Sequence, residues 1–152
     1  MPRISVQEAD FDVSRELQRL CDGRTDIGAT VSFVGLVRDM NLDDSVVAMG
    51  LQHYPGMTEK ALQKIVVEAA QRWEVLDATV IHRVGELTPA EQIVLVCIAS
   101  THRHDAFEAC SFIMDYLKTR APFWKKEVLA DGSSRWVDAR DSDDNAADRW
   151  KE

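Results

Sequence analysis

No stretch of this 152-residue chain approaches the ~18–20 consecutive apolar residues needed to cross a bilayer. The N-terminus lacks the charged-then-apolar order of a secretory leader. No membrane partner is expected, and a cytoplasmic address is. Excess positive charge is missing too: 18 Lys and Arg stand against 26 Asp and Glu, a formal net charge of −8. Non-specific nucleic-acid binding draws its affinity from neutralised phosphates, so the charge balance argues against that class. The three cysteines, Cys21, Cys97 and Cys110, are odd in number and show no paired spacing. That disfavours a disulfide framework and a zinc site alike. Cys97 falls in an apolar strand run and Cys110 on an apolar helix face, so both read as small core residues. The chain has no glycine-rich phosphate loop, no Ser-His-Asp order, no His/carboxylate metal spacing and no internal repeat or linker. Neither a metal nor a cofactor is expected. If the chain is an enzyme, Lys and Arg do its work, and the reactive group arrives on a substrate or a partner.

What is present is a mixture of strand and helix signals within one domain, residues 1–152. Residues 4–11 read as an extended lead-in. A helix over 12–22 puts Val13, Leu17, Leu20 and Cys21 on one face, with Gly23 as its stop. A β-branched strand follows over 29–38, with Gly35 marking a bulge or a close backbone approach and Arg38 at its end. After a polar loop over 39–45 comes a strand over 46–54, closed by Pro55-Gly56. Thr58 is placed to cap a helix carrying Ala61, Leu62, Ile65, Val66, Ala69 and Trp73 at helical spacing. Runs over 78–87 and 92–99 read as a hairpin, and Ser100 or Thr101 as the cap of a helix over 102–119. Residues 123–129 and 134–137 flank Asp131-Gly132, a second hairpin signal. The acidic tail over 141–152 is expected to be loose unless a partner orders it. Adjacent strand runs rather than strict alternation predict an α+β fold, with a mixed, largely antiparallel sheet and packed helices.

Four of the 18 Lys and Arg lie between Lys118 and Lys126, interleaved with Phe123 and Trp124. Positive charge beside aromatic surface suggests a pocket for a flat anion. On a helical wheel Lys118 falls with Arg103, Phe107 and Met114 along one flank of the apolar stripe, which predicts a part-buried lysine suited to acid, base or nucleophilic work. The plainer reading is a lysine snorkelling from the helix end, favoured there by the macrodipole. His102-Arg103-His104 opens the same helix, where free N–H groups favour an anion. The plainer reading there is an exposed His pair with an incidental Arg. Arg38 adds a third cation. His53 and His82 read as isolated structural strand histidines.

Five segments then carry a resemblance: Phe33-Val34-Gly35-Leu36-Val37-Arg38, residues 53–62 beginning His53-Tyr54-Pro55-Gly56, residues 80–87 beginning Val80-Ile81-His82-Arg83, Thr101-His102-Arg103, and residues 112–127 containing Lys118-Thr119-Arg120-Ala121-Pro122-Phe123-Trp124-Lys125-Lys126-Glu127. Together, from roughly residue 28 to Trp150, the chain resembles the MoaE family, the large catalytic subunit of molybdopterin synthase. The resemblance implies an α/β hammerhead-like fold with an added antiparallel hairpin subdomain. It also implies a sulfurtransferase that turns cyclic pyranopterin monophosphate (precursor Z) into molybdopterin. The sulfur would come from the thiocarboxylated C-terminal glycine of a small ubiquitin-like subunit, with two large subunits as a homodimer within a heterotetramer. Lys118 and Lys125 would be the catalytic pair. Arg38, His102 and Arg103 would line the substrate and anion pocket, with Leu36, Val37, Lys126 and Glu127 completing it. Arg140 is a candidate to reach the pocket of a dimer mate. The alternative is a non-catalytic module that binds a phosphorylated heterocycle or a ubiquitin-like partner.

Overall fold

The near-continuous apolar run around residues 92–100 has a simple cause: it is a strand buried on both faces, where no polar alternation is needed. The computed structural model describes residues 2–137 and 141–151; Arg140 lies outside them. In chain order the elements are β1 (Arg3–Gln7), α1 (Val13–Cys21), β2 (Ala29–Leu36), β3 (Met40–Asn41), β4 (Asp44–His53), α2 (Met57–Arg72), β5 (Asp77–Arg83), β6 (Gly85–Leu87), β7 (Gln92–Ser100), α3 (Arg103–Arg120), β8 (Phe123–Leu129), β9 (Ser134–Val137) and α4 (Asp141–Asp148). The first sheet has the order β1-β5-β7-β2, parallel only at the β1–β5 pair. The second runs β3-β4-β8-β9, with β6 also paired to β4, all antiparallel. The expected α+β class with a mixed, largely antiparallel sheet is what forms.

Alternation along β5 and β7 sorts their side chains into two cores. Val80, Val94, Val96 and Ile98 pack with Leu62, Ile65, Phe112 and Ile113 of α2 and α3. Ile81, Leu95, Cys97 and Ala99 pack with Phe11 and Leu20 on the α1 side. A third cluster, Val37, Met49, Leu51, Val84 and Leu87, lies under the second sheet. Among the described residues no helix is long and apolar enough to cross a membrane.

Several local expectations change. The run over 78–87 does not stay in one sheet. It breaks at Val84-Gly85, where Gly85 takes φ 87°, and the chain crosses so that β6 pairs β4. Only glycine adopts that left-handed φ cheaply. Thr58 lies inside α2 rather than capping it, and its hydroxyl reaches back to Tyr54. His102, not Ser100 or Thr101, occupies the N-cap position of α3, while Ser100 Oγ accepts the His102 N–H. The tail is not loose in this structure: α4 forms, Ala147 is buried, and Trp150 packs edge-on to Trp73 and Phe112. Trp150 Nε1 donates to Asp115 at 2.6 Å. An indole that gains aromatic contacts and a carboxylate partner outweighs the acidity of the preceding residues.

Candidate functional site

Three loosely connected stretches are brought to one place by long-range pairing. The first is the end of β2. A Cβ on Gly35 would stand 2.8 Å from Val94 Cγ1, so the close approach expected of this glycine is real. The β2–β7 register slips between Gly35 and Leu36. Past the slip, Val37 N–H donates to Glu91 O and Val37 O accepts from Ala90 N–H, which pins the segment that carries Arg38. The second stretch is the C-terminal turn of α3 with Leu117 and Lys118. The third is β8, whose start is tied to α2 because buried Thr58 Oγ1 lies 3.2 Å from Pro122 O.

Between them is a hollow of about 430 Å³. Leu36, Val37 and Arg38 form one wall, and Lys118 with Leu117 and Ala121 another. Phe123, Lys125 and Glu127 project from β8; Met49 and Leu51 of β4, paired to Glu127 and Lys125, share their face. Met40, Asn41, Ile93, Val137 and His82 complete the lining. Among the described residues of the lining, three cations face one carboxylate. That carboxylate, Glu127, is buried and already engaged: Oε2 accepts from Asn41 Nδ2 at 2.9 Å and Oε1 from Arg135 Nε at 3.1 Å. Arg135 also reaches Asp44 Oδ2 and Asn41 O, so one network holds the β3–β4 turn against β8. The described lining gathers three cationic side chains in an acidic protein, an arrangement that concentrates anions.

Six residues of the sequence reading meet here: Leu36, Val37, Arg38, Lys118, Lys125 and Glu127. Three do not. Lys126 points to the opposite face of β8, its Nζ 5.7 Å from the Trp136 ring centroid, because strand side chains alternate. His102 and Arg103 are exposed at the far end of α3, some 15 residues or ~22 Å of helix from Lys118. Lys118 is exposed at the rim rather than half-buried against Phe107 and Met114, since the wheel ignores the opening beside the last turn. The thiols of Cys97 and Cys110 are pushed up by burial, to about 12 and about 11, which suits core residues.

One residue of the hollow went unread in the sequence. His82, treated there as structural, lines the hollow and stacks on Phe123 with ring centroids 3.8 Å apart. Only the β5–β7 and β4–β8 pairings bring it there, and no local pattern announces it.

Comparison with known proteins identifies the relatives of this chain. A family model described as MoaE protein matches residues 6–120, reaching further toward the N-terminus than the motifs above. The molybdopterin synthase catalytic subunit of Ralstonia nicotianae is 61% identical over 150 residues, covering 99% of this chain and 85% of that protein. Its Vibrio cholerae counterpart is 56% identical over 149 residues, 98% of each. Among solved structures, the molybdopterin biosynthesis MoaE protein from Burkholderia ambifaria superposes with a TM-score of 0.85 at 53% identity, covering 100% of this chain and 99% of that one.

Proposed function

We propose, from the premise that this chain belongs to the MoaE family, that it is a sulfurtransferase of molybdenum-cofactor biosynthesis acting at the cationic hollow. It converts cyclic pyranopterin monophosphate to molybdopterin; its relatives are named molybdopterin synthase catalytic subunits. The observation that carries the reading is the meeting of Arg38, Lys118 and Lys125, from three separate elements, beside the Phe123–His82 ring pair. Cations around aromatic surface suit a flat heterocycle bearing a phosphate.

Arg38 and Lys125 hold the phosphate, and the pterin lies along Phe123. A small ubiquitin-like subunit delivers its C-terminal thiocarboxylate beside Lys118, drawn by the same positive field. The thiocarboxylate sulfur attacks a side-chain carbon of the pterin: a C–S bond forms as that carbon's C–O bond breaks, and the departing oxygen takes a proton from a lysine ammonium. Water then cleaves the acyl–sulfur bond, leaving sulfur on the pterin and a carboxylate on the carrier. A second loaded carrier supplies the second sulfur. The ammonium groups of Lys118 and Lys125 donate protons and stabilise oxyanion charge as it develops. Glu127 acts through the wall it braces. Family membership implies a central homodimer with one small subunit at each end, and in that assembly the reading assigns His102 and Arg103, remote from this chain's own hollow, to the hollow of the second copy.

The test mixes the chain with precursor and thiocarboxylated carrier and follows dithiolene product. Wild type should turn over without another protein, and Lys118→Ala and Lys125→Ala should each fall by about 100-fold. Unchanged transfer by Lys118→Ala, with binding intact, removes the lysine's role. Binding of both reactants without product points instead to a non-catalytic capture module.

A further inference from the structure

His82 is the second-to-last residue of β5 and only 5% exposed, yet it is part of the wall of the hollow. Its Nδ1 lies 2.7 Å from the main-chain oxygen of Arg83. A carbonyl oxygen can only accept, so Nδ1 carries the proton of that bond. Burial drives the imidazole from 6.5 down to about 4; the bond to Arg83 O opposes that shift and the charge of Lys118 adds to it. Arg38 and Lys125 line the same hollow, where Glu127, the single carboxylate among the described lining residues, is paired with Arg135. The ring is therefore neutral near pH 7, with a proton on Nδ1 and a bare lone pair on Nε2.

That lone pair has no donor among the described residues. It is not sealed in either, since no fully buried side-chain nitrogen or oxygen among them lacks a partner. The stack on Phe123 and the bond to Arg83 O account for the ring and for Nδ1, and neither uses Nε2. An acceptor held neutral, fixed in tautomer by its own backbone and clamped by a stacked ring is preorganised for a ligand donor.

We infer that His82 Nε2 accepts a hydrogen bond from a ring N–H or exocyclic amino group of the heterocycle bound in the hollow. His82 is thereby a specificity-determining contact, distinct from the cations that take the phosphate. The inference rests on the reading of the hollow as the substrate site. The ligand class follows from the chemistry: a flat heterocycle that presents a donor toward the His82–Phe123 stack is accepted. An analogue with only an acceptor at that edge is rejected, because two lone pairs then face each other.

The experiment uses the full chain with precursor and thiocarboxylated carrier. His82→Asn keeps an amide N–H near the position of Nδ1, for Arg83 O, and removes Nε2. His82→Gln keeps an amide oxygen near the position of Nε2. Expected are a KM for precursor raised about tenfold in His82→Asn with kcat changed less, partial recovery in His82→Gln, and an unaltered KM for the carrier. In parallel, nitrogen NMR of 15N-histidine-labelled wild type should show the Nδ1–H tautomer at pH 7 and an Nε2 resonance that moves when precursor binds. An unchanged KM in His82→Asn overturns the contact while leaving the sulfur-transfer reading intact. So does an Nε2 that is protonated at pH 7 or indifferent to precursor, which keeps the test decisive even if the variants fail to fold. A wild-type chain that makes no dithiolene overturns both readings together.

Discussion

Thr58 offers the sharpest test of how the fold positions the site. Its side chain is fully buried where the start of α2 meets the start of β8. The hydroxyl accepts from Tyr54 N–H at 3.0 Å, and its single proton is shared between Tyr54 O at 3.0 Å and Pro122 O at 3.2 Å. Thr58→Val preserves shape and removes one donated and one accepted bond, each worth ~1 kcal/mol. The loss should total ~2 kcal/mol. Thr58→Ser keeps the hydroxyl and removes one buried methyl, ~1 kcal/mol. For a chain of this length each kcal/mol moves Tm by ~2–4 °C, so Val should melt ~4–8 °C low and Ser ~2–4 °C low. Calorimetry or circular dichroism gives the order. Because Pro122 O anchors the strand that presents Phe123 and Lys125, Val should also lose more turnover than Ser at a temperature where both are folded. A Val variant as stable as wild type, or milder than Ser in both assays, would sink the argument that this hydroxyl locks β8 in place.

Three further outcomes follow from the same geometry. Lys126→Ala should stay within about threefold of wild type in dithiolene formation while Lys125→Ala collapses, because neighbours on a strand face opposite ways; equal losses would contradict the strand parity. The folded-state pKa of His82, about 4, lies below its ordinary 6.5, so the unfolded chain binds more protons between those values. The contribution is fully present above pH 6.5 and lost as pH falls toward 4, a difference of ~3 kcal/mol. Denaturant titrations of wild type and His82→Phe across that window should therefore converge or cross as pH falls, and parallel curves would refute it. Trp150→Ala removes an indole packed on Trp73 and Phe112 and bonded to Asp115. It should lower stability by ~3 kcal/mol and expose the C-terminal segment to proteolysis, read as a lower denaturant midpoint and faster cleavage after residue 137.

The line between what was legible in the residues and what was not follows the range of the forces involved. Helices α1, α2 and α3, the hairpin around Asp131-Gly132 and the buried strand β7 were readable, since their signals lie within a turn or a strand length. Gly35 was readable as a tight spot because the lack of a side chain in a strand has few other uses. The parity that turns Lys126 away from Lys125, and the helix rise that separates Arg103 from Lys118, were both contained in the sequence. Treating a motif as a single pocket obscured them. By itself the sequence determined most of the helices and strands, though not β3 or α4, that the chain is acidic with one basic cluster, and that Cys97 and Cys110 are core residues. Only the tertiary structure decided that β5 hands over to β6 in another sheet at Gly85, that Trp150 docks the tail, and that His82 reaches the wall holding Arg38, Lys118 and Lys125. Those outcomes depend on pairings between residues tens of positions apart, whose energies exist only once both partners are in place.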